Sequence, residues 1–394
     1  MASEDKQKLR IAIIQRVLAS YRRPFFEKLI KIYSADIDIY SGEPMPDETL
    51  KTADSVTGAR LFIGKNYYTQ SPLPLIFWQS GILTWLRQTD PDILVIDINP
   101  RILSSWIAIA WMRRKKRPVL GWGLGEQARS GPVLQKWIRR RIAKFVISAT
   151  NGIIAYSSKA KKDYIAAGME PENVFVAYNS IDDSESSQYM QQFSQNTQWI
   201  NSWRKERGFE PNLPIILFVG RLIASKRIDL IIEACAPLFN RCQLLIVGDG
   251  PYQSELKSMA APYGKCIHFA GHQTGLPLAK CFMGSDIFAL PGAGGLAIHQ
   301  AMTYGKPVIV SFGDGTEADL VRENINGLFF KVGDVNSLRS AIIKMLDHPK
   351  KIQEMGANSL EIICTQINLP NMAASFMNAV QTTSNRFIST MTPI

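Results

Sequence analysis

The sequence predicts an α/β protein built from two Rossmann-like domains. Three observations carry that expectation. At 394 residues the chain is long enough for two separate cores. Apolar strand-like runs alternate with helical patterns in two blocks, as in a parallel sheet with crossover helices. Between the blocks, from about Asp182 to Asn212, the alternation stops in a stretch rich in Ser, Gln and Asn.

In chain order, Leu9–Ile14 reads as a buried strand and Pro24–Tyr33 as a helix. The apolar run Asp92–Ile98 precedes a helical stretch, Leu103–Arg114, and Val119–Gly121 starts the next strand. Pro132 can open a helix to about Val146, because proline is tolerated in a first turn. Ile153–Tyr156, Lys159–Ala167 and Val174–Tyr178 then read as strand, helix and strand. After the break, strands are expected at Ile215–Val219, Gln243–Val247, Cys266–Phe269, Asp286–Leu290 and Pro307–Val310. The expected domains are therefore 1–182, a linker 183–212 carrying one helix around Trp199 and Trp203, and 213–365. A helical segment, 366–394, is expected to return to the first domain. No internal repeat is visible.

Charge divides the chain unevenly. Residues 1–180 carry 27 Lys and Arg against 16 Asp and Glu, whereas residues 181–394 carry 18 of each. Such asymmetry points the first half toward an anionic surface or substrate. The five cysteines form no Cys-x-x-Cys pair, so neither a disulfide framework nor a metal site is expected. The polar start MASEDKQKLR does not read as a signal peptide, and Ile102–Met112 is too short to span a bilayer. A cytoplasmic protein is expected. No helix-turn-helix, zinc finger or aromatic RNA-binding signature supports a nucleic-acid partner. The dinucleotide fingerprint fails at Gln253, which argues against a dehydrogenase.

The second block carries three glycine turns after strands. Ile215–Val219 leads into Gly220–Lys226, where Arg221 and Lys226 are placed to meet a diphosphate; a solvated basic loop is the plain alternative. Gln243–Val247 leads into Gly248–Pro251, with Gly250 in the same turn. Asp286–Leu290 leads into Pro291–Leu296 and then a helical run, Ala297–Tyr304. Free amides at Gly294, Gly295 and Leu296 make an anion site.

Together, G-R-L-x-x-x-K, V-G-D-G-P and G-G-L-x-x-x-x-A-M-x-x-G-x-P-V-I (Gly294 to Ile309) resemble the retaining glycosyltransferases of family 4. Glu317 before a helix, N-G-L at Asn326–Leu328, and Asn179, Ile181 and Asp182 add to the resemblance. In the first half, Y-R-R-P-F-F (Tyr21 to Phe26) and G-W-G-L-G (Gly121 to Gly125) look like the branch that builds bacterial surface polysaccharides. The resemblance implies the GT-B fold, with two Rossmann-like domains facing across a cleft. It implies transfer of a sugar from a UDP- or GDP-linked donor to a lipid-linked or oligosaccharide acceptor, with retention and without a cofactor. Arg221 and Lys226 would neutralise the leaving diphosphate, with Gly220, Gly248, Gly250, Gly294, Gly295 and Leu296 shaping its cradle. Gln300, His272 and Glu317 would contribute to donor binding.

The sequence departs from that family in two places. Relatives carry two glutamates across the third glycine turn, and the corresponding positions here are Gly292 and Gln300. Gln300 can still hydrogen-bond a ribose hydroxyl; Gly292 offers only backbone. Relatives also place a histidine where Leu124 stands, and all four histidines here lie in the second half. Glu126 is the nearest titratable substitute, and a plain helix-start carboxylate is its alternative reading. His299 reads as a packed structural histidine. These departures keep open a catalytically degenerate paralogue that binds sugar nucleotides as sensor or scaffold, and a sugar-nucleotide epimerase of the same fold.

Two basic clusters mark the first half, Arg113–Arg117 and the helix carrying Lys136, Arg139, Arg140, Arg141 and Lys144. On that helix Leu134, Ile138, Ile142 and Phe145 form one apolar stripe, consistent with core packing. The single sign of the charge instead fits an anionic membrane surface on the inner face of the plasma membrane. Tyr21, Arg22, Arg139, Arg140 and Lys144 are the expected acceptor- or membrane-facing residues.

Overall fold

The computed structural model describes residues 9–45, 48, 50–69, 76–125, 133–194 and 198–391. Its contacts divide the chain into two units, Met1–Ile181 with Leu369–Ile394, and Asp182–Asn368.

The first unit contains β1 (Arg10–Val17), α1 (Arg23–Tyr33), β2 (Asp36–Gly42), β3 (Arg60–Gly64), β4 (Asn66–Tyr68), β5 (Phe77–Gln79) and α2 (Ile82–Thr89). There follow β6 (Ile93–Asp97), α3 (Leu103–Arg114), β7 (Val119–Gly123), α4 (Val133–Ser148), β8 (Gly152–Ala155), α5 (Ser158–Ala166) and β9 (Val174–Val176). Seven strands form one parallel sheet in the order β3-β2-β1-β6-β7-β8-β9. Along β1, Ile11 and Ile13 join Phe25, Phe26 and Leu29 of α1 on one face. Ala12 and Ile14 join Trp85 and Leu86 of α2 and Met112 of α3 on the other. A strand buried on both faces must be apolar throughout, which is why it is legible as a continuous run.

The second unit opens with α6 (Ser184–Ser194) and α7 (Gln198–Glu206), where one linker helix was expected. This segment is packed against its unit: Trp203 is buried, and Arg204 reaches Asp286 at 2.8 Å. Then come β10 (Ile215–Val219), α8 (Ile228–Cys235), β11 (Gln243–Val247), α9 (Gln253–Ala260), β12 (Ile267–Gly271), α10 (Gly275–Met283) and β13 (Ile287–Leu290). The unit continues through α11 (Gly295–Thr303), β14 (Val308–Val310), α12 (Glu317–Leu320), β15 (Gly327–Phe329), α13 (Val335–Leu346) and α14 (Pro349–Thr365). Its parallel sheet runs β12-β11-β10-β13-β14-β15. The last helix, α15 (Leu369–Met391), belongs to the first unit, where Phe376 packs edge-on against Phe25 and Trp122.

Each sheet reverses its direction of growth once, between β1 and β6 in the first unit and between β10 and β13 in the second. Open α/β sheets bind ligands outside the carboxyl ends of the strands at such a switch point.

Candidate functional site

The glycine turns of the second unit meet at its switch point. Gly220 N–H donates to the Val247 carbonyl at 3.0 Å, and Gly248 N–H donates to the Gly271 carbonyl at 2.8 Å. Leu222 N–H reaches the Asp249 carbonyl at 2.9 Å. These loops touch backbone to backbone, and only glycine permits that. A Cβ on Gly248 would lie 1.9 Å from the Gly220 carbonyl oxygen, and one on Gly250 would lie 2.2 Å from that of Leu222. Gly248 also sits at φ +135°, a conformation side chains rarely adopt.

Lys226 is the charged centre of this arrangement. It follows the β10 turn, is half-buried, and its Nζ donates to the Ala293 carbonyl. A Cβ on Gly294 would lie 2.8 Å from Nζ, so the ammonium stands at the start of α11, which Gly294 caps without a side chain. Burial lowers the Lys226 pKa, and Asp314 raises it again. A partly desolvated ammonium beside a helix N-terminus places two positive features together, and an anion satisfies both. Arg221 is exposed at the same turn, with no hydrogen-bond or ion-pair partner among the described residues.

The remaining expected donor residues fall at different depths. Leu296 and Gln300 lie half-buried on α11, and His272 is exposed, its N–H bonded to Asp249 Oδ2 at 3.1 Å. Glu317 is buried, not open to a ligand. Its carboxylate accepts the N–H groups of Gly315 at 3.1 Å and of Gly313, and burial raises its pKa. It therefore shapes the loop 311–316 beside α11, where Thr316 Oγ1 would stand 2.1 Å from a Cβ on Gly295. His299 is fully buried, donates from Nε2 to the Ile367 carbonyl at 2.9 Å, and is pushed down to about 4 by burial. It is neutral packing.

In the first unit Tyr21 is exposed, whereas Arg22 is 5% exposed and so is not membrane-facing. Its guanidinium lies over the rings of Tyr156, Trp122 and Tyr21 at 4.9, 5.1 and 5.4 Å. Lys144 is exposed on α4. Glu126 and the side chains of Arg139 and Arg140 lie outside the described residues. Two features escaped the sequence reading. One is the close packing of Gly292 on Lys226; the other is Asp97, whose signal was an acid ending the buried run Ile93–Asp97.

Residues 200–361 match the family of glycosyl transferases group 1. This stretch is a glycosyl transferases group 1 domain. It contains the glycine turns, Lys226 and α11 of the second unit. Over 220 residues the chain is 28% identical to a sulfoquinovosyl transferase of Arabidopsis thaliana, covering 54% of this chain and 41% of that protein. Over 167 residues it is 30% identical to the GDP-mannose-dependent monoacylated alpha-(1-6)-phosphatidylinositol monomannoside mannosyltransferase of Corynebacterium glutamicum, covering 39% and 43%. The chain thus matches less than half the length of either relative. Among solved structures, a glycosyltransferase from Rickettsia africae superposes with a TM-score of 0.71 at 15% identity, over 96% of this chain and 99% of that one. HepE of Anabaena in complex with UDP gives 0.70 at 16% identity, over 95% and 100%. The fold is GT-B, two parallel-sheet α/β units.

Proposed function

We propose that this chain is a retaining glycosyltransferase. It moves a hexosyl group from a UDP- or GDP-linked sugar to a lipid-linked or oligosaccharide acceptor at an anionic membrane surface. The observation that carries the reading is the Lys226 ammonium held at the amide end of α11, inside the group 1 domain. In this reading the diphosphate takes over Nζ from the Ala293 carbonyl and accepts the first amides of α11. Arg221 adds a second, exposed cation. Both neutralise charge as the bond between the anomeric carbon and the phosphate oxygen breaks, which is a large part of the barrier in such transfers. The acceptor oxygen bonds to the same carbon on the same face, and its proton passes to the departing phosphate. No protein nucleophile or cofactor takes part.

Calorimetry with UDP and with GDP tests the site. Lys226→Ala is expected to weaken the preferred nucleotide by roughly 1.5–3 kcal/mol, the scale of a charge-assisted hydrogen bond. Equal affinity in the variant removes Lys226 from the site. One observation favours a second reading, nucleotide binding without turnover: Gly292 has no room for the carboxylate that relatives carry there. Product analysis of a nucleotide-sugar panel with native membranes as acceptor separates the two.

A further inference from the structure

The loop 311–316, between β14 and α12, lies along the turn 291–295 that opens α11. Ser311 Oγ donates to the Pro291 carbonyl at 2.5 Å. A Cβ on Gly313 would lie 2.7 Å from Ala293 Cα, and Thr316 stands against Gly295. Asp314 sits between the last two contacts, outside every motif read from the sequence. It is half-buried, and its Oδ1 accepts the Thr316 N–H at 3.0 Å and the Thr316 hydroxyl. Its Oδ2 has no hydrogen-bond or ion-pair partner among the described residues. The carboxylate makes no ion pair with Lys226, yet is near enough to raise the Lys226 pKa against the effect of burial.

A cation and an unused carboxylate oxygen therefore share the start of α11, and they suit different parts of one ligand. The ammonium and the helix amides suit a diphosphate. A carboxylate repels phosphate and only accepts hydrogen bonds, so its partner is a donor such as a sugar hydroxyl. A nucleotide sugar joins the two parts through one bond, from phosphate oxygen to anomeric carbon. We propose that Asp314 is a specificity-determining residue of the donor site, with Oδ2 accepting a hydrogen bond from a hydroxyl of the transferred sugar. The inference rests on the donor reading of the Lys226 site.

Asp314 also compensates for Gly292. A side chain at 292 would run into Ser225 and Lys226, so the turn after β13 cannot supply a carboxylate of its own there. Gly313 touches Ala293, the neighbour of Gly292, and thereby brings Asp314 to the same turn from the loop after β14. The carboxylate selects among donors as well. It favours a neutral sugar with a hydroxyl within its reach and repels the carboxylate of a uronic acid.

The test is calorimetry on the full chain, wild type and Asp314→Asn, with UDP, GDP, UDP-glucose, UDP-galactose and GDP-mannose. Asparagine keeps Oδ1 as the acceptor for Thr316 and replaces the charged Oδ2 by an amide, so the loop is retained. For the sugar nucleotide that wild type binds best, affinity is expected to fall roughly tenfold to hundredfold in the variant. Affinity for the matching nucleoside diphosphate should stay the same or rise, because a negative charge has left the site. UDP-glucuronate and GDP-mannuronate extend the comparison: they should bind wild type more weakly than UDP-glucose and GDP-mannose, and the variant should narrow that gap. Wild type that binds a nucleoside diphosphate but no sugar nucleotide overturns the role of Asp314. So does a variant in which sugar-nucleotide affinity is unchanged, or falls in parallel with that for the nucleoside diphosphate. Absence of all nucleotide binding in the wild type overturns the donor reading instead.

Discussion

At Gly292 an added Cβ would lie 2.4 Å from the Ser225 carbonyl oxygen and 2.7 Å from Lys226 Cα. The turn after β13 is thereby pressed onto the turn after β10, and this contact holds Ala293 O and Gly294 around the Lys226 ammonium. One methyl group must push the two turns apart. Gly292→Ala is expected to cost about 1–3 kcal/mol of stability, the range for overpacking a close contact. The same shift moves Nζ away from the helix start, so nucleotide affinity should fall with it. Chemical denaturation and calorimetry on one sample measure both, and a variant as stable and as tight as wild type would refute the packing argument. The sequence showed Gly292 only as a departure from the glutamate that the family resemblance implies here. That its role is to let backbone touch backbone could not be read from it, because the partner residues lie far away in sequence.

Among the elements, α12 has only four residues and depends on one carboxylate. Glu317 gathers the Gly313 and Gly315 amides into the loop that abuts Gly295. Removing it leaves the buried Gly315 amide unsatisfied, a cost of about 1–3 kcal/mol. Glu317→Ala should therefore raise hydrogen exchange across residues 311–317 and weaken nucleotide binding indirectly. Unaltered exchange there would show that the loop holds without it. The motif marked Glu317 as a donor contact, since a signature records that a residue is required, not which way its side chain turns. Elements were legible where both faces are buried: β10 and β11 match their expected limits. The stretch between α1 and β6 was not. In β2, Asp36 and Asp38 interrupt the apolar pattern, yet Arg60 on the neighbouring β3 binds both, Asp38 at 2.6 Å. A strand stabilised by a cross-strand ion pair shows no local signal. The three-residue β4, β5 and β15 are likewise too short for any periodicity.

For the whole molecule, the decisive asymmetry is the positive excess of the first 180 residues, and the structure shows what accompanies it. The apolar stripe of α4, which core packing would have explained, is not in the core at its carboxyl end. Ile142 is 43% exposed and Phe145 62%, with Trp137 at 54% one turn earlier. Phe145 stacks on Trp106 of α3 at 5.2 Å, so the two helices present one apolar patch. On α4, Arg141 lies over the Trp137 ring at 4.8 Å and Lys144 is exposed, Arg114 and Lys116 are exposed at the end of α3, and α4 itself contains no acid. Part of the cluster is already used internally, since Arg117 and Lys115 pair with Asp90. An exposed apolar ridge with basic flanks fits the interface of an anionic bilayer, where each cation adds about 1 kcal/mol and each inserted side chain about 1–2 kcal/mol. No helix among the described residues is long and apolar enough to cross a membrane. Two variants separate the contributions. Arg114→Gln with Lys116→Gln and Lys144→Gln should abolish the preference for anionic over neutral vesicles and most of the salt dependence. Ile142→Ser with Phe145→Ser should reduce sedimentation with both vesicle types and leave the salt slope in place. Wild-type protein that sediments equally with neutral and anionic vesicles, or with neither, would leave the patch without a membrane role.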